Sequence, residues 1–213
     1  MPLEFSSVEF ERLKNTLPLY EKAQQIFLEK LHNLNSSLIS SENSAPIEHI
    51  KARLKSPASI IQKLQRLGFA LTAHNARQHL KDISGIRIIC PFFNDVYGLV
   101  DILSAVPDWK VTEKEDYIID PKPSGYRSYH MIIDVPVCNA GAIEEIPIEL
   151  QIRTAAMDFW ATMEHKVRYK YKEHVPKHLS DELALCADKI MDLDKRMLLI
   201  HEIISLVNQD INP

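Results

Sequence analysis

The apolar positions of residues 6–40 fall on one helical face. Leu13, Leu17, Tyr20, Gln24, Phe27, Leu31, Leu34 and Leu38 alternate steps of four and three, with Gln24 the single polar lapse. Pro18 interrupts this run, which predicts a kink or the start of a second helix. Residues 40–46 are polar and read as a linker. Ser56-Pro57 then places an N-cap and a first-turn proline at the head of a helix, which runs to about Leu67 and stops at Gly68. A short helix is expected over 74–80, a buried strand over 86–91, and a helix from Asn94-Asp95 to about Ser104. Residues 110–119, 128–137 and 146–153 read as three more strands, and Thr154 caps a helix that reaches about Tyr171.

A long helix over 180–208 closes the chain. Leu183, Ile190, Met197 and Ile204 repeat every seven residues, as do Cys186, Leu193, Ile200 and Val207. This stripe can pack on the N-terminal helix, which carries a matching one, or form a helical interface between subunits, or do both. The element order predicts an α+β fold: a mixed sheet of about five strands flanked by helices. The 213 residues suit one domain, divided into an N-terminal helical region (1–45), a core (46–172) and a terminal helix (173–213).

Composition adds exclusions. No run of about 18 apolar residues predicts a membrane span, and a start carrying Glu4, Glu9 and Glu11 does not read as a signal peptide. Cys90, Cys138 and Cys186 are odd in number and lack metal or redox spacing, so they read as reduced thiols of a cytoplasmic protein, with Cys90 in the core. The net charge of −4 gives no bulk argument for nucleic acid, but its distribution is uneven. Between His49 and Cys90 stand the cations Lys51, Arg53, Lys55, Lys63, Arg66, Arg77, Lys81 and Arg87, against the lone carboxylate Asp82. A solvated helical face mixes signs; a block of one sign points to a polyanionic partner, although a plain basic patch is the simpler alternative.

Two stretches carry candidate chemistry. In the first, Ser59, Lys63 and Arg66 share one face of the helix that Pro57 opens, beside free first-turn N–H groups that favour an anion. Arg53 and Lys55 precede that helix, and Arg87 can stack on a purine or fork onto phosphate. Asp82 stands at the mouth of a strand, where a carboxylate holds Mg²⁺ with substrate phosphates or simply forms a turn. In the second, Glu149, Gln151 and Arg153 alternate with Ile148, Leu150 and Ile152, which places the polar set on one strand face. Glu149 is a candidate metal ligand or base, or part of an exposed polar face. Upstream lies the loop Lys122-Pro123-Ser124-Gly125-Tyr126-Arg127-Ser128-Tyr129-His130. Tyr126 offers a ring for base stacking, Lys122 and His130 can contact phosphate, and Tyr129 reads more readily as core.

In this order the pieces resemble the synthetase domain of the RelA/SpoT family, and more closely its stand-alone small alarmone synthetases. The stretches that carry the resemblance are 49–67, 81–91, 116–137 and 146–170, the last including Phe159-Trp160-Ala161-Thr162-Met163-Glu164-His165. The resemblance implies a nucleotidyltransferase-like mixed sheet and a GTP pyrophosphokinase that moves the β,γ-pyrophosphate of ATP to the 3′-hydroxyl of GTP or GDP, giving (p)ppGpp and AMP. Carried across, it implies that Arg53 and Arg87 sandwich adenine and that Ser59, Lys63 and Arg66 hold the ATP phosphates; Lys55, which precedes the helix and can reach the same anion, completes the ATP-binding set. Asp82 and Glu149 would bind Mg²⁺, with Glu149 near the attacking hydroxyl. Tyr126 would stack on guanine, with Lys122, His130 and Gln151 holding the rest of the acceptor. The family's homotetramer is also implied.

Two positions depart from the family. Where some small synthetases carry a basic residue before the Asp-Tyr of the second strand, this chain has Glu115, with Lys114 one step earlier; an ATP-phosphate contact falls to Lys114 or is missing. His49-Ile50-Lys51-Ala52 replaces the Phe-Val-Thr-Gly of members with a central alarmone site, so product activation of that kind is not expected. No His-Asp dipeptide and no spare segment suggest a hydrolase domain, so synthesis alone is expected. The rival readings are a non-catalytic RNA- or nucleotide-binding module on the same fold, and a nucleotidyltransferase that releases pyrophosphate. A zinc site at His174 and His178 lacks a companion Cys pair and is not expected.

Overall fold

The computed structural model describes residues 6–42, 46–171 and 175–211. In chain order the elements are α1 (Ser7–Glu42), β1 (His49–Leu54), α2 (Pro57–Leu67), α3 (Ala73–His79), β2 (Ser84–Cys90), α4 (Phe93–Ala105), β3 (Lys110–Asp116), β4 (Tyr129–Asn139), β5 (Ala142–Thr154), α5 (Ala155–Lys170) and α6 (Lys177–Ile211). The strands form one mixed sheet in the order β1-β2-β5-β4-β3. Only β2 and β5 run parallel; the other pairs are antiparallel.

Helix α1 lies across one sheet face. Its Leu13, Tyr20, Phe27 and Leu31 are buried against Ile86, Ile88, Ile133, Ile148 and Leu150 in a single core cluster. Each such side chain stabilises the fold by about 1.5–3 kcal/mol relative to exposure. The polar lapse is explained by packing: Gln24 Nε2 donates to Ser84 Oγ (3.0 Å) and to the carbonyl of Arg53 (3.2 Å), stitching α1 to β1 and β2. Pro18 neither ends α1 nor starts a second helix. Its missing N–H costs one ladder bond, which the apolar face on the sheet outweighs. Of the linker expected over 40–46, residues 40–42 instead continue α1, whose register carries the helix to Glu42, and 43–45 lie outside the described residues.

Local signals set several boundaries. Ser56 caps α2 by accepting from Ser59 N (3.3 Å), and Gly68 ends it at φ +75°. Thr154 caps α5 through Met157 N (3.2 Å). Strand β3 stops at Asp116 instead of reaching 119. The Asp116 carboxylate accepts from the N–H groups of Ile118 and Ile119, which turns the backbone out of the ladder. β4 and β5 extend beyond the expected ends and meet in a two-residue turn, with Ala140 at φ 48° and Gly141 at φ 87°, the left-handed pair that a tight hairpin requires.

Helix α6 packs chiefly on α5 and secondarily on α4, not chiefly on α1 as one expectation had it. Ala187, Met191 and Asp194 form its buried line. Most of the heptad stripe is exposed, including Cys186, Leu193, Met197, Ile200, Ile204 and Val207. Periodicity marks an apolar stripe but does not say which neighbour covers it. Cys90 is buried, as expected. Among the described residues no helix is long and apolar enough to cross a membrane.

Candidate active site

The sheet face away from α1 carries the chemistry, because strand alternation sends every second side chain there. Register aligns these side chains in rows. Lys51 pairs with Arg87, Arg87 with Gln151, Gln151 with His130, and His130 with Glu115. In the next row Arg53 pairs with Gly85, and Gly85 with Glu149. Two cavities open over these rows. One, of about 420 Å³, is lined by Lys51, Arg53, Gly85, Arg87, Glu149 and Gln151 among others. The other, of about 310 Å³, is lined by Lys63, Lys81, Asp82, Glu113, Glu115, His130 and Glu149 among others. Glu149 borders both. Gly85 leaves the floor of the larger cavity open, with no atom within 4 Å of where a Cβ would stand.

Asp82 sits between two lysines. Lys55 Nζ donates to its Oδ2 at 2.7 Å, and Lys63 Nζ binds the same oxygen. Burial pushes the Asp82 carboxyl up, but hydrogen bonds and charge from both lysines outweigh that and hold it below the usual carboxylate range. Its other oxygen, Oδ1, is buried without a hydrogen-bond partner.

A second network centres on Arg153, which is 1% exposed. Its Nη2 donates to Gln151 Oε1 (2.6 Å) and to the Tyr126 hydroxyl (2.9 Å), and its Nη1 lies 3.5 Å from Asp158 Oδ1. Asp158, in the first turn of α5, also pairs with Arg87 Nη1 at 3.1 Å. The chain of contacts continues from the Tyr126 hydroxyl to His130 Nε2 (2.9 Å). Tyr117 closes the cluster: its ring lies edge-on to His130 at 5.0 Å, with Lys122 Nζ 4.2 Å above it. Burial, then the positive charges of Lys122 and Arg153, bring the His130 pKa down to about 3, so the imidazole is neutral near pH 7. Gln151 Nε2 donates to Glu149 Oε2 at 3.0 Å, so one amide ties the carboxylate to the arginine.

Residues 52–174 match the family described as a region found in RelA/SpoT proteins. The chain belongs to the RelA/SpoT family. It is 43% identical over 188 residues to the GTP pyrophosphokinase YwaC of Bacillus subtilis, covering 88% of this chain and 90% of that one. Its fold superposes on small alarmone synthetase 1 of Bacillus subtilis bound to its product pppGpp, with a TM-score of 0.85, 32% identity and coverage of 92% of this chain and 99% of that chain. Small alarmone synthetase 2 of the same organism gives a TM-score of 0.80 at 42% identity, covering 89% and 97%.

Within this RelA/SpoT fold the expected site residues divide differently from the sequence reading. Arg53 and Arg87 share the larger cavity with Gln151, which the sequence had placed on the acceptor side. Lys63 and Asp82 share the smaller cavity with His130, which the sequence had also set apart from them. Sheet register decides this, since Gln151 lies between Arg87 and His130. Lys55 lines neither cavity but holds Asp82. Ser59 and Arg66 are exposed on α2, and Lys122 and Tyr126 stand beside His130; these four also line neither cavity. Arg77, part of the basic block, turns away to pair with Glu144 at 2.5 Å. Lys114 pairs with Met131 on the opposite strand face and lines neither cavity, whereas Glu113 and Glu115 do line the smaller one.

Four site features escaped the sequence reading. Arg153 was visible in the alternation with Glu149 and Gln151 but received no role. Strand β1 was overlooked, although Ile50, Ala52 and Leu54 alternate with Lys51 and Arg53. Asp158 had no local signal, since its pairing with Arg87 reaches across the fold, and Tyr117 was noted only within the Asp-Tyr pair, although it meets Lys122, Tyr126 and His130 close by in the chain. The His174 of the unexpected zinc pair lies outside the described residues.

Proposed function

We propose that the chain is a GTP pyrophosphokinase: it transfers the β,γ-pyrophosphate of ATP to the 3′-hydroxyl of GTP or GDP, makes (p)ppGpp and releases AMP. The observation that carries this reading is Glu149, one carboxylate bordering two cavities on one cation-rich sheet face. A reaction between two bound nucleotides needs both held within reach of one base.

Arg53 and Arg87 flank the adenine above Gly85, with Lys55, Ser59, Lys63 and Arg66 along the phosphates. Tyr126 stacks on the guanine, and Lys122, His130 and Gln151 steady the acceptor. Glu149 takes the proton of the 3′-hydroxyl at a carboxylate oxygen. The hydroxyl oxygen bonds to the β-phosphorus, the bond from that phosphorus to the α-phosphate oxygen breaks, and AMP carries that oxygen away. Such transfer relies on positioning and charge stabilisation, which the lysines and arginines supply.

The residues fit a Mg²⁺ ion. Asp82 Oδ1 is buried and unpartnered, and Asp82 and Glu149 line one cavity. Mg²⁺ takes one or two carboxylates together with substrate phosphates and water, and among the described residues no cluster of three or more His, Cys, Asp or Glu side chains would cage a metal alone. When bound, the ion would neutralise charge on the transferred group. The exposed apolar stripe of α6 supports self-association, and the mass in solution tests the homotetramer that the resemblance implies. The free cysteines suit a cytoplasmic protein, which cell fractionation tests.

The deciding experiment incubates the protein with Mg²⁺, GTP and γ-labelled ATP beside Glu149→Gln. Label on the guanine nucleotide, AMP formed and a mutant at least about 100-fold slower are expected. Absence of transfer to any guanine nucleotide sinks the reading and leaves a binding module; free pyrophosphate in place of AMP indicates nucleotidyl transfer.

A further inference from the structure

The loop that carries Tyr126 is held from behind by α6. Gly125 has φ +89°, and a methyl group there would lie 2.7 Å from Ala187 Cβ and 3.2 Å from Ala184 Cα. Only glycine allows that backbone and that approach together. The turn itself is tight: Gly125 N donates to the carbonyl of Lys122 (2.7 Å), and Lys122 N to that of Tyr126 (3.2 Å). On the other side of Tyr126, Arg127 spans three pieces of chain. Its Nη1 donates to the carbonyl of Ile118 (2.7 Å) in the turn after β3, and its Nη2 donates to Asp188 Oδ1 (3.0 Å) on α6. Its Nε is buried without an acceptor, so the terminal nitrogens alone hold it. Helix α6 is itself fixed to the sheet, because Thr154 Oγ1 donates to the buried Asp194 at 2.6 Å, one residue beyond Arg153.

We propose that Arg127 is a positioning residue for the acceptor nucleotide: anchored to Asp188 on α6 and to the Ile118 carbonyl, it fixes loop 122–127 and so the place where Tyr126 meets the base. The proposal rests on the reading of Tyr126 as an acceptor contact. Arg127 lines the narrow space between the loop and α6 and borders neither substrate cavity. A loop that must be ordered on binding consumes binding free energy, and one already ordered does not. Loosening the anchor therefore weakens the guanine nucleotide and leaves ATP and the chemical step alone.

The test varies guanine nucleotide and ATP in turn, each with the other saturating, in the full chain, Arg127→Met, Arg127→Lys and Asp188→Asn. Arg127→Met is expected to raise the guanine-nucleotide KM about tenfold, the scale of one charged hydrogen bond. Arg127→Lys restores part of it. Asp188 is exposed, so Asp188→Asn leaves folding intact, and it raises the same KM about threefold. The ATP KM and kcat stay within about twofold. A second readout needs no turnover: Trp160 would lie 3.5 Å from a methyl at Gly125, and its emission in a Trp109→Phe background follows guanine-nucleotide binding. Its titration midpoint shifts by the same factor in Arg127→Met. A native protein that transfers nothing refutes the functional reading instead. A transferring protein whose variants keep their guanine-nucleotide KM and midpoint, or lose ATP affinity in parallel, overturns the role of Arg127.

Discussion

Replacing Arg153 by methionine separates its structural role from its functional one. The side chain is 1% exposed, so its guanidinium has lost most of its hydration, a penalty of several kcal/mol. Against that stand the bonds to Gln151 and Tyr126 and the longer contact with Asp158. At about 1.5–3 kcal/mol for each of the two short bonds, gain and penalty nearly cancel. Methionine keeps the apolar stem, and Asp158 keeps Arg87 as its partner, so no buried carboxylate is orphaned. The expected destabilisation is about 0–2 kcal/mol by urea unfolding, whereas Arg153→Ala opens a cavity and costs about 2–5 kcal/mol. Activity responds more strongly than stability. Two bonds that orient Tyr126 and Gln151 disappear, and at about 1.4 kcal/mol each the guanine-nucleotide kcat/KM falls about 100-fold. Unfolding curves and steady-state rates on the same preparation measure both. A methionine variant destabilised by more than about 4 kcal/mol, yet with kcat/KM unchanged, would show that Arg153 holds the fold and not the substrate.

Gly85→Val places a side chain on the open floor of the larger cavity, where nothing lies within 4 Å. Its melting temperature should stay within about 3 °C of native, while ATP binding by calorimetry falls at least tenfold, roughly the loss of one stacked base; unchanged ATP affinity would remove adenine from that cavity. The neutral state of His130 makes a signed prediction. Its folded pKa of about 3 lies below the unfolded value near 6.5, so the unfolded chain binds more protons between them. Its stabilising contribution is complete above about pH 6.5 and falls by at most about 1.4 kcal/mol per pH unit toward pH 3. His130→Gln should flatten that part of the stability profile measured by denaturant; an equal slope in both proteins would refute the assignment.

Much of the fold was legible because strand and helix periods record which side of each element is buried. The stripe from Leu13 to Leu38 and the alternation from Ile148 to Arg153 are patterns of that kind, and Ser56, Gly68 and Thr154 mark helix ends by local hydrogen bonding. Asp116 shows the limit of a local signal: the segment after it has strand-like composition, but its carboxylate captures two backbone N–H groups and ends the ladder. Candidate residues for both nucleotides could likewise be named, since their chemical types and order survive in one dimension. The tertiary structure decided how they are grouped. Register sets Gln151 beside Arg87 and puts Glu149 between two cavities, and the turn of α5 brings Asp158 to two arginines. Tertiary packing also laid α6 on α5, leaving its heptad stripe exposed and its small residues against Gly125. A sequence specifies the face that each element buries; which partner covers that face, and which distant side chains meet beside it, depends on long-range packing that no local pattern encodes.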